Sequence, residues 1–109
     1  MEIEDKKLLE LAAKACGIYY KMSENNPTAF IRHTENFGWI EWNPLKDDGD
    51  AFRLSTFLEL NVFHTSGNCY AMESNDDEFE EVVSYNDCSD KYEATRKAIV
   101  RAAAKIGDI

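Results

Sequence analysis

The sequence predicts an α+β fold, in which one or two mainly antiparallel sheets carry three helices in the order αβββαβββα. Three segments have apolar residues at helical spacing, and the segments between them are short runs of β-branched and aromatic residues. The turns between those runs are short, which favours antiparallel pairing. A chain of 109 residues has the size of one domain, so we expect residues 1–109 to form a single domain.

The first predicted helix covers residues 4–16 and is followed by Gly17, a residue type that often ends helices. Its apolar residues recur at positions i, i+3, i+4 and i+7, which places them on one face of the helix. These residues are Leu8, Leu11, Ala12 and Ala15.

The second predicted helix covers 48–60 and the third covers 91–106. We expect Asp90 to cap the third helix, Glu93 to complete a capping-box-like pair, and Gly107 to stop the helix. The predicted apolar faces are Ala51, Leu54 and Leu58 with Phe57 beside them in the second helix, and Tyr92, Ile99, Ala103 and Ile106 in the third.

Six strands are predicted between the helices, in two groups of three. Their turns are rich in Asn, Ser, Gly and Asp, which are common turn residues. The predicted strands are 18–22, 29–33 and 37–42 in the first group, and 62–65, 69–73 and 79–85 in the second.

The acidic excess of the chain lies in one segment. The formal net charge is −9, and residues 54–90 contain nine acids but neither Lys nor Arg. Acids and bases are equal in number over the rest of the chain. This balance disfavours direct binding to nucleic acid or to anionic membranes, whereas a protein partner with a basic surface would be attracted.

Seven acids of this segment are the predicted partner-binding residues. Same-face residues two apart on a strand, such as Glu78 and Glu80, would lie roughly 6.6–6.8 Å apart. Phosphates repeat along a nucleic-acid strand at a similar spacing, so a row of carboxylates could imitate DNA toward a DNA-binding protein. The alternative is a charged hairpin that discourages edge pairing and aids solubility. The seven acids are Glu73, Asp76, Asp77, Glu78, Glu80, Glu81 and Asp87.

The stretch WNPLKDDGDAFRL (42–54) has the composition of a calcium loop but not its ligand order. With Gly49 at position 6 of an EF-hand loop, Lys46 falls at position 3 and Ser55 at position 12, where the cation needs an oxygen ligand and a bidentate Glu. We therefore expect a capped helix instead, with Asp47 as the N-cap and Asp50 at N3.

Cysteine and histidine residues are the other candidates for a catalytic or metal-binding site. His33, His64, Cys69 and Cys88 could form a zinc site or a Cys–His pair, but their spacing matches no standard ligand set. The sequence also lacks a glycine-rich phosphate loop and the common hydrolase motifs. We therefore expect no cofactor, no metal and no enzymatic activity, with Cys69 in a strand core and the histidines at exposed strand ends.

Cysteine usage and hydropathy favour a cytoplasmic protein. Three cysteines without CxxC spacing are typical of reduced thiols, and the charged N-terminus lacks the apolar region of a signal peptide. No apolar run approaches the ~20 residues of a membrane span.

A basic ridge is predicted on the last helix, where Lys97, Arg101 and Lys105 recur every four residues beside Arg96. A solvated face that balances the helix dipole is the favoured interpretation, and a nucleic-acid contact is the alternative.

Three segments resemble small proteins of tailed phages and enterobacterial prophages. They are LLELAAKACGI (8–18), WNPLKDDGDAFRLSTFLEL (42–60) and YEATRKAIVRAAAKIG (92–107). These segments are similar to the phage ABA sandwich domain family and to the related NinX-like proteins, whereas the strands between them match poorly. The resemblance implies an α-β-α sandwich and a phage accessory role in the host cytoplasm, with no catalytic residues to carry over.

The leading hypothesis is a phage-encoded accessory protein that binds a basic host protein through its acidic segment. Its sharpest form is a DNA-mimic inhibitor of a host defence or nucleic-acid-binding protein. The alternative is a homo-oligomeric structural or regulatory phage domain, in which exposed aromatics such as Tyr19, Trp39 or Phe63 form a symmetric interface. A small enzyme that depends on Cys69 and His64 is the least favoured hypothesis.

Overall fold

The computed structural model describes residues 4–23, 28–73 and 81–108, which form three α-helices and two three-stranded antiparallel sheets. This result confirms the predicted α+β class and the predicted order of elements. The helices are α1 (Asp5–Cys16), α2 (Asp48–Phe57) and α3 (Lys91–Gly107). Sheet A contains β1 (Tyr19–Met22), β2 (Ala29–Arg32) and β3 (Ile40–Glu41), and sheet B contains β4 (Leu60–Thr65), β5 (Asn68–Glu73) and β6 (Glu81–Ser84).

The larger hydrophobic cluster lies where the three helices meet the inner face of sheet A. The ring of Trp42 packs edge-on against Tyr20 of β1, with the ring centroids 6.3 Å apart. Full burial of one large apolar side chain stabilises a fold by about 1.5–3 kcal/mol, so this cluster is the main source of stability. Its large buried members are Leu8, Leu9, Leu11, Ile31, Trp42, Leu54, Ile99 and Val100.

A smaller cluster joins the other side of α3 to sheet B. Small side chains meet here from both elements, so the helix lies close to the strands. Leu60 and Val62 of β4 pack against both clusters and connect them. The buried residues of the smaller cluster are Ala94, Ala98 and Ala102 of α3 and Cys69, Ala71 and Val83 of sheet B.

The C-terminal end of α3 crosses α1 at very short range. A Cβ atom at Gly107 would lie 1.8 Å from the backbone oxygen of Leu11 and 3.1 Å from the backbone nitrogen of Ala15. The helix includes Gly107 and is capped by Asp108, so the prediction that this glycine stops the helix is wrong. Glycine is needed here because no side chain fits between the two backbones.

The predicted helix ends are confirmed at Gly17 and Asp90. Gly17 has a φ of 69°, which glycine adopts without steric cost. The Asp90 carboxylate accepts a hydrogen bond from the Glu93 backbone nitrogen at 2.8 Å, and the Glu93 carboxylate accepts one from the Ser89 hydroxyl. That hydroxyl lowers the pKa of the Glu93 carboxyl.

Several predicted boundaries and one predicted core residue are wrong. Helix α2 ends at Phe57 because the chain reverses at Glu59, which has a φ of 54°, and β4 therefore begins at Leu60. Strand β3 is limited to Ile40–Glu41. Tyr92 was expected on the apolar face of α3, but it is 59% exposed because it precedes the turn that first packs against sheet B.

Replacement of Gly107 by alanine should destabilise the protein by about 1–3 kcal/mol, because the added methyl group collides with the backbone of α1 rather than with a movable side chain. The higher helix propensity of alanine offsets up to about 1 kcal/mol of this loss. Urea denaturation measures the free energy of unfolding. Gly38→Ala is the matched control, since no atom lies within 4 Å of a Cβ at that position. Equal stability of the two variants would contradict the close packing.

Candidate functional site

The acidic segment lies at one end of sheet B. Strands β5 and β6 are antiparallel, and Ala71 pairs with Glu81, so Glu73 and Glu81 lie at the same end of the sheet. Residues 74–80 connect these two strands. The connection carries four of the seven predicted binding acids, Asp76, Asp77, Glu78 and Glu80, and these four lie outside the described residues.

Glu81 has an ion-pair partner within the protein. Its carboxylate lies 3.3 Å from the ammonium group of Lys105 on α3, and its side chain is only 23% exposed. The pair connects the start of β6 to the last turns of α3. Glu81 therefore has a structural role within the protein, besides its predicted role in partner binding.

Asp87 lies at the opposite end of sheet B from Glu73. It follows β6 in a short 3-10 helix (Tyr85–Asp87), and the Tyr85 backbone nitrogen donates to the carbonyl oxygen of Gly67 in the β4–β5 turn. The six-residue length of β5 separates the two ends by roughly 17 Å. The structure brings Glu73 and Glu81 together, but it does not bring Asp87 to them.

The aspartates of the DDGD run have structural roles. Asp47 is the N-cap of α2 and accepts a hydrogen bond from the Asp50 backbone nitrogen at 2.8 Å, as predicted. Asp50 accepts from the Asn43 backbone nitrogen at 2.9 Å and pairs with the Arg53 guanidinium. No group of acids, histidines or cysteines that could hold a metal ion occurs among the described residues.

Asp48 forms a long-range contact between α2 and α3. Its carboxylate lies 2.6 Å from Nη1 of Arg96, and Nε of Arg96 donates to the carbonyl oxygen of Leu45 at 2.9 Å. The Arg96 side chain is 18% exposed, so it is mostly removed from water. This arginine therefore holds the turn before α2 against α3.

The cations of the predicted basic ridge are engaged within the protein. Lys97 pairs with Glu93 at 3.5 Å, Lys105 pairs with Glu81 at 3.3 Å, and Arg101 also has an interaction partner. These contacts support a solvated, internally balanced face rather than a nucleic-acid contact.

Cys69 and His64 are cross-strand neighbours on β5 and β4. Cys69 is fully buried beneath α3, whereas His64 is exposed and its Nδ1 lies 2.6 Å from the Tyr85 hydroxyl. Burial raises the pKa of the Cys69 thiol, against a weaker opposing effect of a hydrogen bond between this thiol and the Thr95 side chain. The thiol is therefore held in its unreactive protonated form.

An open groove of about 1030 Å³ lies between α2 and α3. Its buried or half-buried lining includes Ala51, Val62 and Ile99, and Phe52 and Tyr92 stand exposed at its rim. The His64–Tyr85 pair lies at one end. Cys69 does not line this groove, so the groove presents an apolar surface without a nucleophilic thiol.

The aromatic residues predicted for a symmetric interface lie on two different sheets. Trp39 lies beside sheet A, where its ring has the Lys21 ammonium 4.4 Å and the Arg32 guanidinium 4.5 Å from its centroid. The Arg32 guanidinium also lies 5.3 Å from the Tyr19 ring. Phe63 lies on sheet B and stacks on Tyr70 with the ring centroids 4.9 Å apart. Tyr19 and Trp39 therefore form one surface, and Phe63 belongs to another.

Comparisons with known proteins identified no relative. No family model matches the chain, and no curated protein or solved structure matches it significantly. In the part of the chain that the structure describes, no helix combines the length and hydropathy needed to cross a bilayer.

Alkylation of the native protein by iodoacetamide near pH ~8 should be more than about tenfold slower at Cys16 and Cys69 than in the urea-unfolded chain. Burial raises the pKa of Cys16 to about 11 and also raises that of Cys69, so few thiolates form in the folded state. Peptide mass spectrometry gives the rate at each cysteine. Fast labelling of Cys69 in the folded protein would instead indicate an activated nucleophile and favour the enzyme hypothesis.

Proposed function

We propose that the protein is a phage-encoded accessory protein that acts without catalysis, by binding a basic surface of a host protein. The observation that carries this proposal is the concentration of acids at the β5–β6 end of sheet B. Glu73 and Glu81 flank a seven-residue connection that contributes four more acids and no base. A partner with a basic surface is attracted to such a concentration of negative charge, which raises the association rate.

The charge distribution elsewhere supports a protein partner of this kind. The ridge cations Lys97 and Lys105 are paired with acids of the same chain. Lys105 offsets the charge of Glu81, so the excess negative charge of the acidic end belongs to Glu73 and to the four acids of the 74–80 connection. Repulsion between phosphates and this end disfavours direct contact with nucleic acid.

The sharpest form of the proposal is DNA mimicry, in which the acidic end occupies the nucleic-acid site of a host defence or nucleic-acid-binding protein. Such binding depends on charge and weakens as salt rises, because exposed charges are screened within about 8 Å at physiological ionic strength. If the protein mimics DNA, duplex DNA should compete with it for binding to the captured partner.

Reversal of Asp77, Glu78 and Glu80 to lysine should weaken capture of the partner from host lysate by at least about tenfold, because the charge that attracts it is removed. Glu81 is left unchanged since it pairs with Lys105. Mass spectrometry of the proteins that co-purify with each variant gives the measurement.

The matched control reverses three exposed acids outside the seven predicted partner-binding residues, Glu35, Glu41 and Asp108. Each reversal adds two charges, so both variants change the formal net charge from −9 to −3. Loss of the partner in the first variant alone supports the acidic end as the contact. Equal binding by both variants, or equal loss in both, would show that this end is not a specific contact.

A further inference from the structure

Strand β4 is an edge strand of sheet B, because the strand order is β4-β5-β6. Its six residues pair with β5 in continuous register, from Leu60 opposite Glu73 to Thr65 opposite Asn68. Edge strands are usually very short, or carry charged side chains, Pro or a bulge, and these features prevent pairing with another chain. The sequence of β4, LNVFHT, contains no Lys, Arg, Asp, Glu or Pro. The strand therefore has a regular edge that can accept a further strand.

Alternate residues of β4 direct their backbone groups toward this free edge. The Tyr85 backbone nitrogen donates to the Gly67 carbonyl oxygen, so the odd-numbered residues of β5 face β6 and the even-numbered ones face β4. The β4 residues whose backbone bonds to β5 are therefore Asn61, Phe63 and Thr65. The residues whose N–H and C=O groups point to the free edge are Leu60, Val62 and His64.

The free edge lies beside the α2–α3 groove. Among residues 4–23, 28–73 and 81–108, none forms a hydrogen bond with the outward backbone groups of Val62 or His64. Both residues line the groove, together with Leu60. Helix α2 forms the opposite wall through Phe52, and α3 contributes Ile99 to the floor. The groove thus has unpaired backbone donors and acceptors along one wall and apolar side chains elsewhere.

We propose that this groove binds an extended peptide segment of a partner protein, which pairs with β4 as a further antiparallel strand of sheet B. The segment has apolar side chains at every second position and basic side chains between them. In this mode of recognition, main-chain hydrogen bonds provide affinity and the contacts of alternate side chains provide specificity.

The groove selects the apolar positions of the peptide. Residues that lie opposite each other in an antiparallel pair point to the same face, so the peptide residues that bond to Val62 and His64 point toward the groove floor. Ala51 and Ile99 are buried there, and the exposed ring of Phe52 stands at the rim. The volume of about 1030 Å³ is at the top of the range of about 300–1,000 Å³ for small-molecule sites, so it suits several residues of a peptide.

The charge of the chain selects the residues between the apolar positions. The formal net charge of −9 repels an acidic peptide and attracts a basic one. Acids also lie where β4 begins, since Glu59 precedes Leu60 in the sequence and Glu73 pairs with Leu60 across the strands. Side chains at the intervening positions of the peptide point away from the groove floor, so basic groups there stay in water.

A second copy of the chain fits this edge less well than a peptide does. Pairing of β4 with β4 of another copy would bring a whole domain to the edge. Helix α2 forms the far wall of the groove, so the space beside β4 admits an extended segment rather than a domain. Two copies would also each bring a formal net charge of −9.

Peptide binding goes beyond the proposed host contact. The pairing uses the backbone of β4 and side chains of α2 and α3, and none of these belongs to the seven predicted partner-binding acids. Measurements with synthetic peptides need no host protein. Strand addition can therefore fail while the acidic end still captures a host protein, and the reverse outcome is equally distinguishable.

Fluorescence anisotropy with a labelled short peptide, in which lysine and valine alternate, tests the use of the β4 edge. His64→Pro should weaken binding by at least about tenfold, because proline lacks the outward N–H and its ring occupies the edge, whereas the β4–β5 hydrogen bonds remain. His64→Ala is the matched control: it also loses the contact with Tyr85, but it keeps the N–H and should bind like the wild-type chain. Equal affinity of the two variants, or no binding to the wild-type chain up to about 1 mM peptide, would overturn the proposal.

N-methylated peptides test the pairing on the wild-type chain, so this measurement does not depend on the folding of a variant. Methylation of the valine nitrogens blocks the N–H groups that point to β4 and should weaken binding by at least about tenfold. Methylation of the lysine nitrogens alters only groups that point away from β4, and this matched peptide should bind like the unmodified one. Any other order of the three affinities would overturn antiparallel strand addition. Self-association of the peptide-free chain that His64→Pro abolishes would identify a second copy as the occupant and would also overturn the proposal.

Discussion

The close crossing of α1 and α3 is the constraint on which the rest of the structure depends. Gly107 has no side chain, and this allows the last turn of α3 to lie against the backbone of α1 near Leu11. Once fixed there, α3 presents Ile99 and Val100 to the larger cluster and Ala98 to sheet B. One helix thus contributes to both cores, so a change in its position would disturb both sheets at once.

Electrostatic pairing follows from the same position of α3. Arg96 reaches the turn before α2 through Leu45 and Asp48, and Lys105 reaches the start of β6 through Glu81. One partner of each pair is exposed to solvent, so each pair contributes about 1 kcal/mol or less to the free energy of unfolding. Their main effect is to fix how α3 lies against α2 and β6. These pairs also affect the charge distribution. The cations of α3 offset acids of the same chain outside the 74–80 connection, so the four acids of that connection account for much of the excess negative charge.

Sequence periodicity was sufficient for the order of the elements and for most of their caps, because those features depend on residues within a few positions of one another. It misassigned Gly107, since the backbone atoms that exclude a side chain there belong to a residue 96 positions earlier. It placed Tyr92 in the core because helical spacing does not reveal where a neighbouring sheet begins. The acidic segment is evident from the sequence. The separation of Asp87 from Glu73 is not, because it depends on how β5 and β6 pair in the folded protein.

The two faces of sheet B show why register matters for function. Strand β5 reads NCYAME, and its alternation divides Cys69 and Ala71, which meet α3, from Tyr70 and Met72, which meet solvent. Phe63, Tyr70 and Val82 are distant in the sequence, and cross-strand pairing brings them together into one apolar surface. A one-residue slip of β6 would move Val82 inward and place Glu81 on the outer face, where its carboxylate could no longer pair with Lys105 of α3. The uncharged outer face and the acidic end therefore depend on the same strand register.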